Sequence, residues 1–100
     1  MIELGGNITL IGFKELDYAE MVVIKKIVGN YARKLSDREP INNLTLNLKQ
    51  IHHTSEDSYK FELKAKADIN GKVVNSELVD YNLFIALDNV MKKIEAQVLK

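Results

Sequence analysis

Apolar and polar residues alternate most regularly in two stretches of the chain. Leu44, Leu46 and Leu48 are interleaved with Thr45, Asn47 and Lys49, and Tyr59, Phe61, Leu63, Ala65 and Ala67 with Lys60, Glu62, Lys64 and Lys66. A period of two sends the apolar set of a strand to one face and the polar set to the other, so both stretches are predicted strands with one wet face. The polar run from His52 to Asp57 is the predicted turn of an antiparallel hairpin between them. Asn70-Gly71 is a strong hairpin signal, because both central residues of a type I′ turn need positive φ, and it leads into a further strand over Lys72 to Val79. Asn7 to Phe13 is β-branched and aromatic, with Ile8 and Leu10 on one face, and reads as a short opening strand.

Between the opening strand and the hairpin the spacing changes. From Leu16 to Leu35 the apolar positions Leu16, Ala19, Val23, Ile27, Tyr31 and Leu35 recur every three or four residues, with Ile24 and Val28 on the flank. This predicts an amphipathic helix of about five turns. Asp17 and Glu20 fall in its first turns, and Ser36-Asp37-Arg38-Glu39-Pro40 stops it. Gly29 inside it costs about 1 kcal/mol relative to alanine, a cost that a close backbone approach would explain. From Tyr81 onward Leu83, Leu87, Val90, Met91, Ile94 and Val98 mark a second helix, with Asp80 or Asn82 placed to cap it. The predicted order is β-α-β-β-β-α. One sheet face needs apolar cover, and two amphipathic helices are the available cover. The expected fold is an α+β two-layer sandwich, a four-stranded sheet with two helices on one face. Its open face would carry Thr45, Asn47, Lys49, Lys60, Glu62, Lys64 and Lys66.

Composition narrows the function classes. With 100 residues, 46% hydrophobic and 28% charged, the chain is expected to form a single domain over residues 1–100 and to be too small for an elaborate multi-domain enzyme. The absence of cysteine excludes disulfides, thiolate nucleophiles and thiolate metal sites, and fits a reducing compartment. Met1 to Asn7 lacks a basic start followed by an apolar core, and no uncharged apolar run approaches the ~18 residues of a membrane helix. A cytoplasmic location is expected, with no membrane partner.

Candidate chemistry is sparse. His52 and His53 are adjacent, so on a strand they point to opposite faces; in an irregular turn they would still need Glu56 or Asp57 to converge on a metal. No metal site is expected. Ser36, Ser55, Ser58 and Ser76 lack a glycine-bounded nucleophile elbow, and Gly5-Gly6 forms no phosphate loop. The Glu56-Asp57 pair lies in a polar loop, where burial cannot raise a carboxyl pKa for acid catalysis. No catalytic residue and no cofactor are expected.

Fourteen Lys and Arg balance fourteen Asp and Glu, so the total does not describe a general polyanion binder. The distribution is uneven. Lys25, Lys26, Arg33, Lys34 and Arg38 face Asp37 alone between positions 25 and 38, whereas Glu77 to Asp88 carries Glu77, Asp80 and Asp88 with no base. Acids at helix starts and bases at helix ends, as the macrodipole favours, account for part of this. Lys26 and Arg33 also share one outer face of the first helix, with Lys25 beside them, and Lys93 and Lys100 stand in the same relation on the second. Side-by-side helices would gather these into a discontinuous basic surface suited to phosphates. The lysine-rich strand positions offer a second such surface.

The same element order, with particular segments, resembles the ribosome hibernation-promoting factor family, also called ribosome-associated inhibitor A or protein Y. Asn82 to Val98 (NLFIALDNVMKKIEAQV) is similar to the family's closing helix, with Phe84 where the family has Tyr and Ala96 where it has Arg. Ile24-Lys25-Lys26-Ile27 and Arg33-Lys34-Leu35 resemble its Lys-rich first helix, and Ile8 to Gly12 its opening strand. Phe13-Lys14-Glu15 is shorter and less basic than the corresponding family turn. The resemblance implies a non-enzymatic, short-form factor that binds the small ribosomal subunit, occludes the groove for messenger and transfer RNA, and silences translation under stress. It implies Lys25, Lys26, Arg33, Lys34, Lys92, Lys93 and Lys100 as contacts to ribosomal RNA phosphates. A second reading is an interaction module of the same fold, homodimeric through a sheet edge or through the side of the first helix bearing Met21 and Val22. A small enzyme using His52 or His53 is a third.

Overall fold

The structure, a computed structural model, describes residues 2–4, 7–52 and 59–98, with the side chains of all these except His52 and Tyr59. Strands β1 (Ile2–Leu4), β2 (Ile8–Ile11), β3 (Ile41–His52), β4 (Tyr59–Ile69) and β5 (Lys72–Asp80) form one sheet in the order β1-β2-β3-β4-β5. Helix α1 (Tyr18–Ser36) connects β2 to β3, and α2 (Leu83–Val98) follows β5. β2 pairs with β3 in parallel, and the other neighbours are antiparallel. The predicted α+β sandwich and its β-α-β-β-β-α order hold from β2 onward. The sheet has five strands instead of four because Ile2-Glu3-Leu4 adds to the free edge of β2. Three residues before two glycines are too short a run to show a period, yet Ile2 and Leu4 pack against the core.

Register explains how the helices seat. Leu44, Leu46 and Leu48 of β3 lie opposite Ala67, Ala65 and Leu63 of β4, all on the buried face. The two alanines leave room for α2, which covers this part of the sheet with Leu83, Ala86, Leu87, Val90, Met91 and Ile94. The Ser76 hydroxyl, beside Ala65 in the next strand, donates to the Val90 carbonyl (2.9 Å) and ties α2 to β5. Asn47, Lys49, Lys64 and Lys66 are exposed on the outer face as predicted, with Thr45, Lys60 and Glu62 half-buried there. At the β4–β5 turn Asn70 and Gly71 have φ of 54° and 84°, the positive values expected of this dipeptide. Gly12, at the end of β2, also has positive φ (83°), and its α-carbon lies against the Leu48 carbonyl of β3.

Both helix starts are capped by side chains. Asp17 accepts from the Glu20 amide (2.8 Å) while Glu20 accepts from the Asp17 amide (3.1 Å), a reciprocal box that starts α1 two residues later than the apolar spacing suggests. Of the two predicted caps for α2, Asn82 performs the role, accepting from the amides of Phe84 and Ile85, while Asp80 orients Asn82 through its amide. The buried row of α1 is Ile24, Val28, Tyr31 and Leu35. Ala19 and Val23, predicted to face inward, are exposed. The apolar arc of α1 is wide, and because this helix packs against α2 as well as the sheet, the edge of the arc bearing Ile24 and Val28 turns inward. Gly29 has no such close approach: among the described residues, nothing outside its own stretch of helix lies within 4 Å of the position its Cβ would take.

Candidate nucleic-acid interface

Because β2 and β3 are parallel, the intervening α1 runs back against them. β5 has the same sense as β3, and α2 returns over it, so the two helices run side by side in one direction. Tyr31 of α1 and Asp88 of α2 meet across the seam, the hydroxyl donating to the carboxylate at 2.6 Å. Lys92 completes the pair from one turn further along α2, with its Nζ 3.0 Å from Asp88. The Lys34 ammonium lies over the Tyr31 ring, 5.2 Å from its centre. A shallow groove of about 460 Å³ opens here, lined by Ile27, Asn30, Tyr31, Arg33, Lys34, Asp37 and Asp88.

Charge tunes this cluster. The Tyr31 phenol is held well above its ordinary range, first by burial and then by the hydrogen bond and negative charge of Asp88. Asp88 is held below the usual carboxylate range, chiefly by the hydrogen bonds from Tyr31 and Lys92. The phenol thus stays a donor and the carboxylate an ion across the physiological range.

The structure brings together some of the cations that the sequence singles out. Arg33, Lys34 and Lys92 gather around the Tyr31–Asp88 bond. Lys25 and Lys26 are exposed on the same helix, in a shallow depression with Tyr18, Met21 and Val22. Lys93 leans the other way, its ammonium donating to the Glu77 carbonyl of β5 (3.3 Å). Lys100 lies outside the described residues. Arg33 and Lys34 occupy the last turn of α1, where the macrodipole also favours them; α2 has neither acids in its first turn nor bases in its last. The acidic stretch does not form a patch. Glu77 lies on the open sheet face, Asp80 supports the α2 cap and Asp88 sits in the helix seam.

The open sheet face is the second polar surface, a concavity of about 480 Å³ lined by Thr45, Asn47, Lys64, Lys66, Asn75 and Glu77 among others. Lys64 is drawn to Glu62 at 3.8 Å, and Lys60 lies over the Tyr81 ring at 5.4 Å, so acids and an aromatic ring interrupt its lysines. His53, Ser55, Glu56, Asp57 and Ser58 lie outside the described residues, as does the side chain of His52. Among the described residues no three His, Asp or Glu side chains converge as a metal site, and no helix is long and apolar enough to cross a membrane. The Tyr31–Asp88 bridge escaped the sequence reading, which placed Tyr31 only in the core. Its signal was the phenol itself, since a buried tyrosine needs a partner for its hydroxyl.

This geometry can be set beside solved structures. The N-terminal domain of Thermus thermophilus Protein Y superposes with a TM-score of 0.62 at 25% identity, covering 92% of this chain and 94% of that one. The chain shares the fold of that domain. A ribosomal subunit interface protein from Coxiella burnetii aligns with the same TM-score at 18% identity, over 93% of this chain and 91% of its own, a likeness of fold. No family model and no curated protein matches the sequence.

Proposed function

We propose that this protein is a non-enzymatic, cytoplasmic, ribosome-associated factor that binds the small subunit through ribosomal RNA phosphates. By filling the groove for messenger and transfer RNA it blocks translation. The observation carrying this reading is the near-complete, end-to-end similarity to the Protein Y N-terminal domain. The exposed cations of the two parallel helices supply its chemistry: Lys25, Lys26, Arg33 and Lys34 from α1 and Lys92 and Lys93 from α2, joined in the sequence by Lys100. Steric occlusion requires neither a catalytic group nor a cofactor. Phosphate contacts position a protein on RNA without reading bases, which suits a plug that must seat in one place regardless of the message.

Co-sedimentation with purified ribosomal subunits across a salt series tests the proposal. If the four α1 cations each neutralise one phosphate, affinity falls about 100-fold between 50 and 200 mM salt. Lys26→Glu/Arg33→Glu removes small-subunit binding and leaves thermal stability nearly unchanged, since both side chains are exposed. Absence of binding at low salt refutes the proposal. A second reading, a homodimer through α1, draws on Tyr18, Val22 and Val23, which are 86%, 45% and 41% exposed. A dimer in sedimentation equilibrium that resists salt and is split by Val22→Lys would favour it.

A further inference from the structure

Gly29 lies in the middle of α1, exposed, with helical backbone and with open space where a Cβ would stand. Neither conformation nor internal packing calls for glycine there, although glycine is the costliest residue after proline in a helix interior. Its neighbours on the helix surface are cationic. Lys25, Gly29 and Arg33 form a row four residues apart, Lys26 precedes Gly29 by one turn, and the exposed Asn30 adjoins it. Each step of four residues rises about 6 Å, so the flanking cations are rooted roughly 12 Å apart along the axis with bare helix backbone between them.

We propose that Gly29 is the point where a sugar–phosphate strand of RNA crosses α1, seated on bare helix backbone between Lys25 and Lys26 on one side and Arg33 on the other. This rests on the ribosomal RNA reading above and adds the place and mode of contact. A phosphodiester strand is narrow and carries charge along its length, so it fits a notch with cations on both banks. The Arg33 guanidinium can hold a phosphate with two hydrogen bonds, and the Asn30 amide offers a neutral donor to phosphate or a 2′-hydroxyl. A second copy of the chain fits poorly, because its own Lys25 and Arg33 would bring like charge to the same row.

The test compares wild type, Gly29→Ala and Gly29→Gln in two measurements: thermal unfolding, and co-sedimentation with small ribosomal subunits at low salt. Gly29→Ala is expected to raise Tm by about 4–8 °C, as a gain near 1 kcal/mol does in a domain of this size. The same substitution should weaken binding about tenfold, and Gly29→Gln more, without Tm falling below that of wild type. Opposite shifts in stability and binding separate a contact from a structural role. Equal binding by all three proteins overturns the Gly29 inference and leaves the ribosomal reading standing. Failure of the wild type to bind overturns both, and a lower Tm for Gly29→Ala overturns the premise that the protein does not need the glycine.

Discussion

Gly12 and Gly71 share a backbone conformation, with φ of 83° and 84°, but not their surroundings. Around Gly71, at the tip of the β4–β5 turn, an added Cβ would meet nothing among the described residues beyond its chain neighbours within 4 Å. At Gly12 it would overlap the Leu48 carbonyl oxygen and come within 3.2 Å of the carbonyl carbon. The left-handed conformation costs an L-residue about 1–2 kcal/mol wherever it occurs, and that is the expected loss for Gly71→Ala. Gly12→Ala bears the same cost and must also push the end of β2 away from β3. The parallel pairing of Ile11 with Asn47 and the fully buried ring of Phe13 lie immediately on either side. Overpacking of this kind costs about 1–3 kcal/mol, which brings Gly12→Ala to roughly 2–5 kcal/mol. Equilibrium urea unfolding followed by far-ultraviolet circular dichroism measures both variants, with unchanged m-values licensing the comparison. If Gly12→Ala proves no less stable than Gly71→Ala, the close approach of β2 to β3 is wrong and φ alone accounts for both glycines.

The Tyr31–Asp88 bond carries two further predictions. Tyr31→Phe keeps the packed ring and leaves Asp88 with Lys92, so it should cost about 1–2 kcal/mol in urea unfolding, and Asp88→Asn made in the same background should then add little. The pH dependence has opposite signs at the two ends of the scale. Because the fold lowers the Asp88 pKa, its contribution is full above the unfolded value of about 3.8 and is lost as the pH falls through the folded value. Because the fold raises that of Tyr31, its contribution is full below about 10 and is lost as the pH rises toward the folded value. Ultraviolet titration should show one tyrosinate forming later than an ordinary phenol, and Tyr31→Phe should remove that late phase.

The legible parts of the fold were those in which local pattern and tertiary demand agree. β3 and β4 alternate along their lengths because one face meets helices and the other water, and Asn70-Gly71 turns because its two residues tolerate positive φ. β1 was illegible: three residues carry no period, and pairing with β2 decides their structure. The orientation of α1 was half legible. Its sequence holds two adjacent apolar rows, and only the arrival of α2 selects Ile24, Val28, Tyr31 and Leu35 over Ala19 and Val23. Gly12 read as part of a strand because a left-handed residue against a neighbouring carbonyl leaves no trace in hydropathy. Among the candidate site residues, helical spacing placed Lys25, Lys26 and Arg33 on an exposed surface, but it does not tell where a long side chain leans. Lys92 turns to Asp88 in the helix seam and Lys93 to β5, although they are adjacent on one helix.

A formal net charge of zero argues less against an RNA contact than it first suggests, because salt makes electrostatics local. At physiological ionic strength the screening length is about 8 Å, and charges separated by more than that through solvent largely ignore one another. Glu77 lies on the open sheet face, with the sheet between it and the helices, whereas Asp37 lines the same groove as Arg33 and Lys34. The two acids therefore count equally in the total and unequally at the surface. Asp37→Asn, at the exposed C-terminal end of α1, should strengthen small-subunit binding several-fold and flatten none of its salt dependence, since every cation remains. Its effect on stability should be neutral or slightly favourable, because a negative charge at a helix C-terminus opposes the macrodipole. Glu77→Gln should leave binding unchanged. Equal gains from the two substitutions would mean that total charge governs association, and that the helix face does not hold the RNA.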